Sequence, residues 1–534
     1  MNNRARRVRP LLNRGCWGFA VLTANLFLFG CGGGGQVRRT PPPPSLAVST
    51  TSLPSWMVGF PYQQTVQATG GLAPYSWKVS SGALPQGLAL SESTTNSVAI
   101  TGTPDTVQAG GAMFTIQVSD SANQVATRNY SVAIQTASVV QLAEIEGTAN
   151  PNAIELQNVA AGPFDPAEWQ QNTLNWVPDV RVPMLAPLPG AWQNIYSPWP
   201  LEQPGGWRLF YGGWDGTATP NDRIYSMTTS DFLSFENRHM VIDHGDFVHV
   251  NNVNVSQLAD GSMHMICTVP VDPNGNDKPA YFASPDGVTW NGVPEPYSAQ
   301  LADMVSIPND PDYAGWDFNG GNVLLWDDDA WTFYYSVGIY GAIGQVYRAR
   351  SSSPAVLHRS GIALNTVHYS NDVKKFVVDG KEWYLMALYV ERATTDPTAP
   401  ALTYSLSNDG VTFGAEQVLF LGSTLADKFL MTPAFVVRGT FVEGVVYGAN
   451  GTDLLGANSQ IFARWLQKKV VLTDALGNQY SPRGGYGPDR QWFDLPQSFT
   501  GTITVYGEDG RTPLGTGPVA LTTGKSYRIS VLSQ

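Results

Sequence analysis

From about residue 45 onward, apolar and polar positions alternate in short runs separated by Gly-, Pro- and Asn-rich turns. No sustained 3.6-residue apolar periodicity follows residue 31. "YQQTVQAT" (62–69), "YSWKVS" (75–80), "SVAITGTP" (97–104), "MFTIQVSD" (113–120) and "RNYSVAI" (128–134) read as strands of one small β domain spanning 45–136. Trp77 and Phe114 suit the core between its two sheets, and Asp120 in "VSDSANQ" suits a turn cap more than a calcium contact.

A second pattern has a longer period. "YFASPDGVTW" at Tyr281–Trp290 returns as "YSLSNDGVTF" at Tyr404–Phe413. An aromatic residue opening a short strand-like run occurs at Tyr225, Tyr281, Tyr347, Tyr404 and Phe462, in steps of 56, 66, 57 and 58 residues. Each is preceded by an apolar strand, a turn and an aromatic strand, as in "GGNVLLWDDDAWTFYYSV" (320–337). One four-stranded sheet cannot bury both of its faces, but five around an axis bury them against each other. The spacing therefore predicts a five-bladed β-propeller over 186–470. The shared "S-x-D-G-x-T-[WF]" phrase reads as the outer hairpin of blades two and four. Asp286-Gly287 and Asp409-Gly410 would make the turn, and Trp290 and Phe413 would pack back on the sheet. Residues 137–185 read as a connecting segment and 471–534 as a C-terminal β domain. The expected fold class is all-β: an immunoglobulin-like β-sandwich, a five-bladed β-propeller and a small C-terminal β appendage.

Composition agrees with this reading. The 534 residues include 54 Gly and 38 Pro, with only 14 % charged and 11 % aromatic residues. The first thirty residues differ from the rest: Arg4, Arg6, Arg7, Arg9 and Arg14 form a basic head before an apolar run from Trp17 to Phe29. Without that segment, 26 basic residues face 43 acidic ones, a net charge of −17. Such a surface argues against nucleic acid as a partner. Three cysteines give no disulfide framework, and Cys267 in "MHMICTV" reads as a buried apolar residue.

Three resemblances follow. Leu28-Phe29-Gly30-Cys31, followed by four glycines and the "TPPPP" linker ending at Pro44, resembles a bacterial lipoprotein signal. This implies residues 1–30 as signal peptide, lipidation at Cys31, a tether over 31–44 and a cell-envelope location, periplasmic or surface-exposed. "GGLAPYSWKVSSGALPQGLAL" (70–90), "ITGTPD" (100–105) and "FTIQVSDSANQVAT" (114–127) together resemble the immunoglobulin-like domains of bacterial surface proteins. The "S-x-D-G-x-T-W" hairpin and the repeated strand–turn–aromatic strand units resemble the five-bladed glycoside hydrolases of family 43 and their invertase-like relatives.

That last resemblance implies carboxylates at the inner-strand starts, one as acid and another as base or nucleophile. The matching positions here are Ser197, Asn252, the stretch 319–321, Asp372 and Thr432. Where relatives often carry Asp-Pro, this chain has Ser197-Pro198 and Asn252-Val253, which cannot act as carboxylate bases. The acids left near the expected mouth are Glu391 as acid, Asp317 or Asp215 as base, and Asp372 as orienter. Asn251, Asn252, Asn319 and Asn371 suit hydrogen bonds to sugar hydroxyls; His249, His368, Trp214 and Trp316 suit donors or stacking faces. Carbohydrate is the expected ligand, and the chain is expected to be a monomer. A glycan-binding propeller without catalysis and a surface adhesion protein are the alternatives. No cofactor is implied; calcium is the one ion that the acidic loops 272–278 and 326–331 suggest.

The anchor reading makes a direct prediction. In a bacterial host, the intact chain should partition into the membrane fraction and incorporate labelled palmitate, and Cys31→Ala should do neither.

Overall fold

In a computed structural model, residues 44–533 are described, except 146, 148–149, 220, 272–275, 312, 316, 319, 337–343, 390–401, 423–425, 452–457 and 496–497. The chain is almost entirely β. Among the described residues no helix is long and apolar enough to cross a membrane.

The first domain is a sandwich of two four-stranded sheets, the longest strands being Tyr62–Thr69 in one and Gln108–Ser119 and Val125–Gln135 in the other. Burial alternates strictly along Tyr62–Thr69, as the period-two pattern requires. Trp56, Tyr62, Phe114 and Tyr130 fill the centre, with Trp56 edge-on to Tyr62 at 5.1 Å. Trp77 departs from expectation: it is only partly buried, at the sandwich margin, where its indole N–H donates to Thr95 O at 3.0 Å. Asp120 caps its turn by accepting from the amides of Leu72, Ala122 and Gln124 at 2.8–3.0 Å.

Five antiparallel sheets follow, in sequence order. Their innermost strands are Ile195–Gln203, Asn251–Gln257, Asn322–Asp327, Tyr369–Val378 and Phe429–Arg438. Each touches the next, and the fifth touches the first, so the ring is closed. The five aromatic markers Tyr225, Tyr281, Tyr347, Tyr404 and Phe462 all lie on the third strand of their sheet. The wedges between blades hold the core. One cluster joins blades one, two and five, and others join two with three, three with four, and four with five.

The repeated phrase makes the turn between the third and fourth strands of its blades. Asp286 Oδ1 accepts from the amides of Val288 and Thr289, and Asp409 Oδ1 from those of Val411 and Thr412, all at 2.7–2.9 Å. Gly287 and Gly410 take positive φ (77° and 62°), and a Cβ on Gly410 would lie 2.8 Å from the Tyr384 ring. Trp290 and Phe413 are buried against the sheet. The preceding blade grips each turn: Arg208 donates to Gly287 O, and Tyr334 OH to Gly410 O at 2.6 Å.

The segment 137–185 is more than a connector. Val139–Ile145 and Ile154–Gln157 are central strands of a nine-stranded sheet completed by residues after 468. Trp176–Pro178 pairs with Gln460–Leu466 as the outer strand of the fifth blade. The turns in this segment read as linker composition, but its apolar residues Ile154, Leu156 and Val159 are fully buried in the C-terminal core. Between these strands lies a short helix, Pro166–Gln171, capped by Asp165.

That helix brings Glu168 close to Glu508, Asp509 and Asp165. Burial, then the charges of those three acids, push the Glu168 carboxyl up to about 8. An unfolded chain would ionise it near 4.5. Between these values the folded state holds a proton that the unfolded state has lost, so stability falls as pH rises through this window. The melting temperature of Glu168→Gln should therefore exceed that of the natural chain by a margin that grows from pH 5 to pH 8. A constant margin across that range would refute the shift.

Candidate functional site

The inner strands of four blades begin with a bulge. Register shifts fall at Tyr196/Trp199, Asn251/Asn254, Ser370/Asp372 and Met431/Ala434. Ser197, Asn252 and Thr432 adopt positive φ (51°, 54° and 46°), and Gly321 takes the matching place in the third blade at 55°. For Thr432, which is β-branched, this is a costly conformation. The bulges turn buried polar groups toward one another. Ser197 N donates to Thr432 Oγ1 at 3.0 Å, Asn371 Nδ2 to Pro433 O at 2.9 Å, and Asn252 Nδ2 to Thr268 Oγ1 at 3.1 Å. The mouth ring is thus hydroxyl and amide, as the expected Ser197 and Asn252 substitutions imply.

Below this ring the channel is filled. Trp199 donates its indole N–H to Val255 O at 2.8 Å, and Lys374 Nζ lies 4.1 Å from the centre of the Trp199 ring. Asp372 pairs with Lys374 at 3.1 Å and accepts from Phe435 N at 2.8 Å. Burial pushes the Asp372 carboxyl above its usual range, with the Lys374 charge opposing. Asp372 is therefore part of the filled axis, out of solvent.

Antiparallel pairing brings the inner-strand starts, the ends of second strands and the starts of third strands to one end of the ring. Here the structure gathers four titratable groups from blades one to three. Asp222, just before the third strand Arg223–Thr229, accepts from Tyr196 OH at 2.5 Å. Its backbone carbonyl receives Val250 N at 3.1 Å, which seats His249 beside it. His249 Nε2 lies 2.9 Å from Asp277 Oδ1, at the start of the third strand Asp277–Ser284. Asp277 N in turn donates to Asp317 Oδ1 at 2.9 Å.

These groups tune one another. Burial pushes the Asp222 carboxyl up to about 6, opposed by the Tyr196 hydrogen bond and the His249 charge. Burial works to lower His249, but the hydrogen bond and charge of Asp277, then Asp222 and Asp317, raise it overall. Asp222 Oδ1 and Asp277 Oδ2 are buried with no hydrogen-bond partner among the described residues. Asn251 also hydrogen-bonds the Asp222 carboxyl and favours its charge, while the charge of Asp277 works the other way, so the two carboxyl groups are electrostatically coupled.

Of the expected residues, His249 and Asp317 come together here, and Asn251 reaches Asp222, while Asn252 bonds Asn251 and Thr268 at the second bulge. Asp215 does not join them. Arg238 holds it bidentately at 2.8 Å, Tyr211 OH donates at 2.8 Å, and Leu188 N donates at 2.5 Å. Both oxygens are committed, so Asp215 is a structural anion. Trp214 is half-buried, its amide bound to Asn194 O. His368 pairs with Glu416 at 2.8 Å, and Asn371 sits at the fourth bulge. Cys31, Trp316, Asn319 and Glu391 lie outside the described residues.

Asp222 and Asp277 were missed, yet the chain signals them. "NDRIY" (221–225) and "NDKPAY" (276–281) place an Asn-Asp-base triplet before the marker aromatic in blades one and two. Acidic loop 326–331 holds the one metal-ligand grouping found among the described residues, Asp327, Asp328 and Glu382. Its centre is taken by the Lys375 ammonium, 3.2 Å from Asp328 and 2.6 Å from Glu382. The other loop, 272–278, lies mostly outside the described residues.

Residues 43–135 match a family model described as "Putative Ig domain". No curated protein matches the chain. Among solved structures, the chain is similar to a GH32 β-fructofuranosidase of Bombyx mori (10 % identity, 69 % of this chain and 97 % of that one, TM-score 0.38). It is also similar to a glycosyl hydrolase from Bacteroides ovatus (11 %, 62 % and 99 %, TM-score 0.39). A third is an α-L-arabinanase of Cellvibrio cellulosa complexed with arabinohexaose (10 %, 54 % and 94 %, TM-score 0.34).

The electrostatic coupling is measurable. Asp277→Asn should lower the His249 pKa, read from its imidazole shifts by NMR, because the burial penalty then loses its main opposition. An unchanged value would show that Asp277 does not set it.

Proposed function

We propose that the propeller mouth is a carboxylate site for glycosidic bonds, with Asp222 as general acid and Asp277 as base or nucleophile. The observation that carries this reading is the pair of buried, electrostatically coupled carboxyl groups of Asp222 and Asp277, the first raised to about 6. Such a pair meets the needs of glycoside cleavage: a neutral carboxylic acid protonates the leaving oxygen while an ionised one activates water or attacks the sugar. His249 Nε2 lies 2.9 Å from Asp277 Oδ1 and fixes the orientation of that carboxyl. Asp317 fixes the strand that carries Asp277. Asn252 and Tyr196 supply polar groups for sugar hydroxyls at the same rim.

A non-catalytic glycan-binding propeller is the second reading. It is favoured by the mouth ring itself, where Ser197, Asn252, Asn371 and Thr432 present hydroxyls and amides instead of carboxylates. Export and anchoring through Cys31 belong to either reading, and place the site on a tether at a bacterial envelope.

The test is hydrolysis of arabinan, xylan and fructan oligosaccharides by the purified chain. Asp222→Asn should lower kcat by about 10²- to 10⁴-fold. The natural chain should lose kcat as pH rises above about 6, when the acid gives up its proton. Binding of these sugars with no release of reducing ends would select the second reading.

A further inference from the structure

At the same end of the ring stands an exposed aromatic residue for which no packing or hydrogen-bond role of the side chain is seen among the described residues. Trp192 is 46 % exposed, on the loop that leads into the first inner strand. The loop is nevertheless rigidly held. Asp215, locked by Arg238 and Tyr211, accepts Leu188 N, and Arg238 also donates to Ala186 O at 3.0 Å. Trp192 N donates to Thr217 O at 3.1 Å, and the backbone packs so closely that a Cβ on Gly190 would lie 2.5 Å from Gly216 O. A buried ion pair thus fixes a loop whose tip presents a large apolar ring to water.

The position of this ring relates it to the acid cluster. Thr217, which receives the Trp192 amide, is five residues from Asp222, so their backbones are at most about 18 Å apart. That is within reach of a short oligosaccharide. Val248, 67 % exposed, adds apolar surface next to His249. The cluster itself carries Asp222, Asp277 and Asp317, which would repel a carboxylated sugar.

We propose that Trp192 is the stacking platform for a neutral sugar ring of an oligosaccharide whose other end lies at Asp222 and Asp277. The Asp215–Arg238 pair is the brace that holds it. This rests on the glycan reading of the mouth, though not on catalysis there. The site would select chains of several neutral residues over single sugars and over uronate polymers.

The experiment uses the mature chain with Trp192→Ala, Trp192→Phe and Asp222→Asn. Electrophoresis in gels containing arabinan, xylan, inulin or polygalacturonate reads binding, and hydrolysis of a disaccharide-to-hexasaccharide series reads turnover. At least one neutral polymer should retard the natural chain, and polygalacturonate should not. Trp192→Ala should weaken that retardation roughly tenfold and raise KM on the longer oligosaccharides alone, and Trp192→Phe should restore most of it. Retardation lost in Trp192→Ala without any hydrolysis by the natural chain would sustain the platform and overturn the catalytic reading. Hydrolysis with chain-length preference unchanged in Trp192→Ala would overturn the platform and leave catalysis standing. Absence of retardation in every gel would overturn the platform.

Discussion

The ring depends on one constraint: each blade must bury both faces against its neighbours, so no blade is stable unless the ring closes. The chain meets this with apolar wedges and at least one buried lock per junction. Trp199 reaches Val255 O, Asn254 takes Leu324 N, Ser336 takes Ser370 N, Asp372 takes Phe435 N, and Thr432 takes Ser197 N. Each lock joins a side chain to the backbone of the next blade. Its distance therefore reports register as well as contact. The outer strand Trp176–Pro178, drawn from before the first blade, finishes the fifth. Asp179 secures that closure by accepting the Trp465 indole N–H at 2.7 Å while Arg181 neutralises it.

This way of closing the ring decides where chemistry can sit. Lys374, Asp372 and Trp199 meet across the axis, so the polar groups of this end that remain are those set further out. Third strands lie two strands out from the inner ones, roughly 10 Å at the usual interstrand spacing. Asp222 and Asp277 occupy that outer position in adjacent blades, and the bulged inner strands bring Tyr196, Asn251 and Asn252 toward them. The strain at Ser197, Asn252 and Thr432 is tolerated because the locks on either side over-determine the backbone there.

Much of the fold was legible because repetition and alternation are written directly into residues. The five marker aromatics all fall on third strands, and the Ser-x-Asp-Gly turns form as their residue types require. The destination of 137–185 was less legible. Its strands Val139–Ile145 and Ile154–Gln157 pair with residues more than 330 positions away, and local pattern carries no record of such a partner. The site was legible in part. His249 and Asp317 are legible from their places before inner strands, whereas Asp222 and Asp277 sit at third-strand starts, which reach the same end of the ring only through antiparallel pairing with the second strand.

Two aspartates in one loop show why burial alone does not mark a functional acid. Asp215 and Asp222 are both largely shielded from solvent and lie seven residues apart. Asp215 has a guanidinium, a phenol and a backbone amide on its two oxygens, which leaves its charge fully compensated and its geometry fixed. Asp222 has only neutral donors, Tyr196 and Asn251, in direct contact; burial outweighs them and the His249 charge, and it retains its proton into the mildly acidic range. Burying an uncompensated carboxyl costs stability, so the fold would be better served by a second Arg238 at this place. The chain supplies that brace at Asp215 and withholds it at Asp222, so one acid is spent on holding a loop while the other keeps a carboxyl whose proton state changes near pH 6.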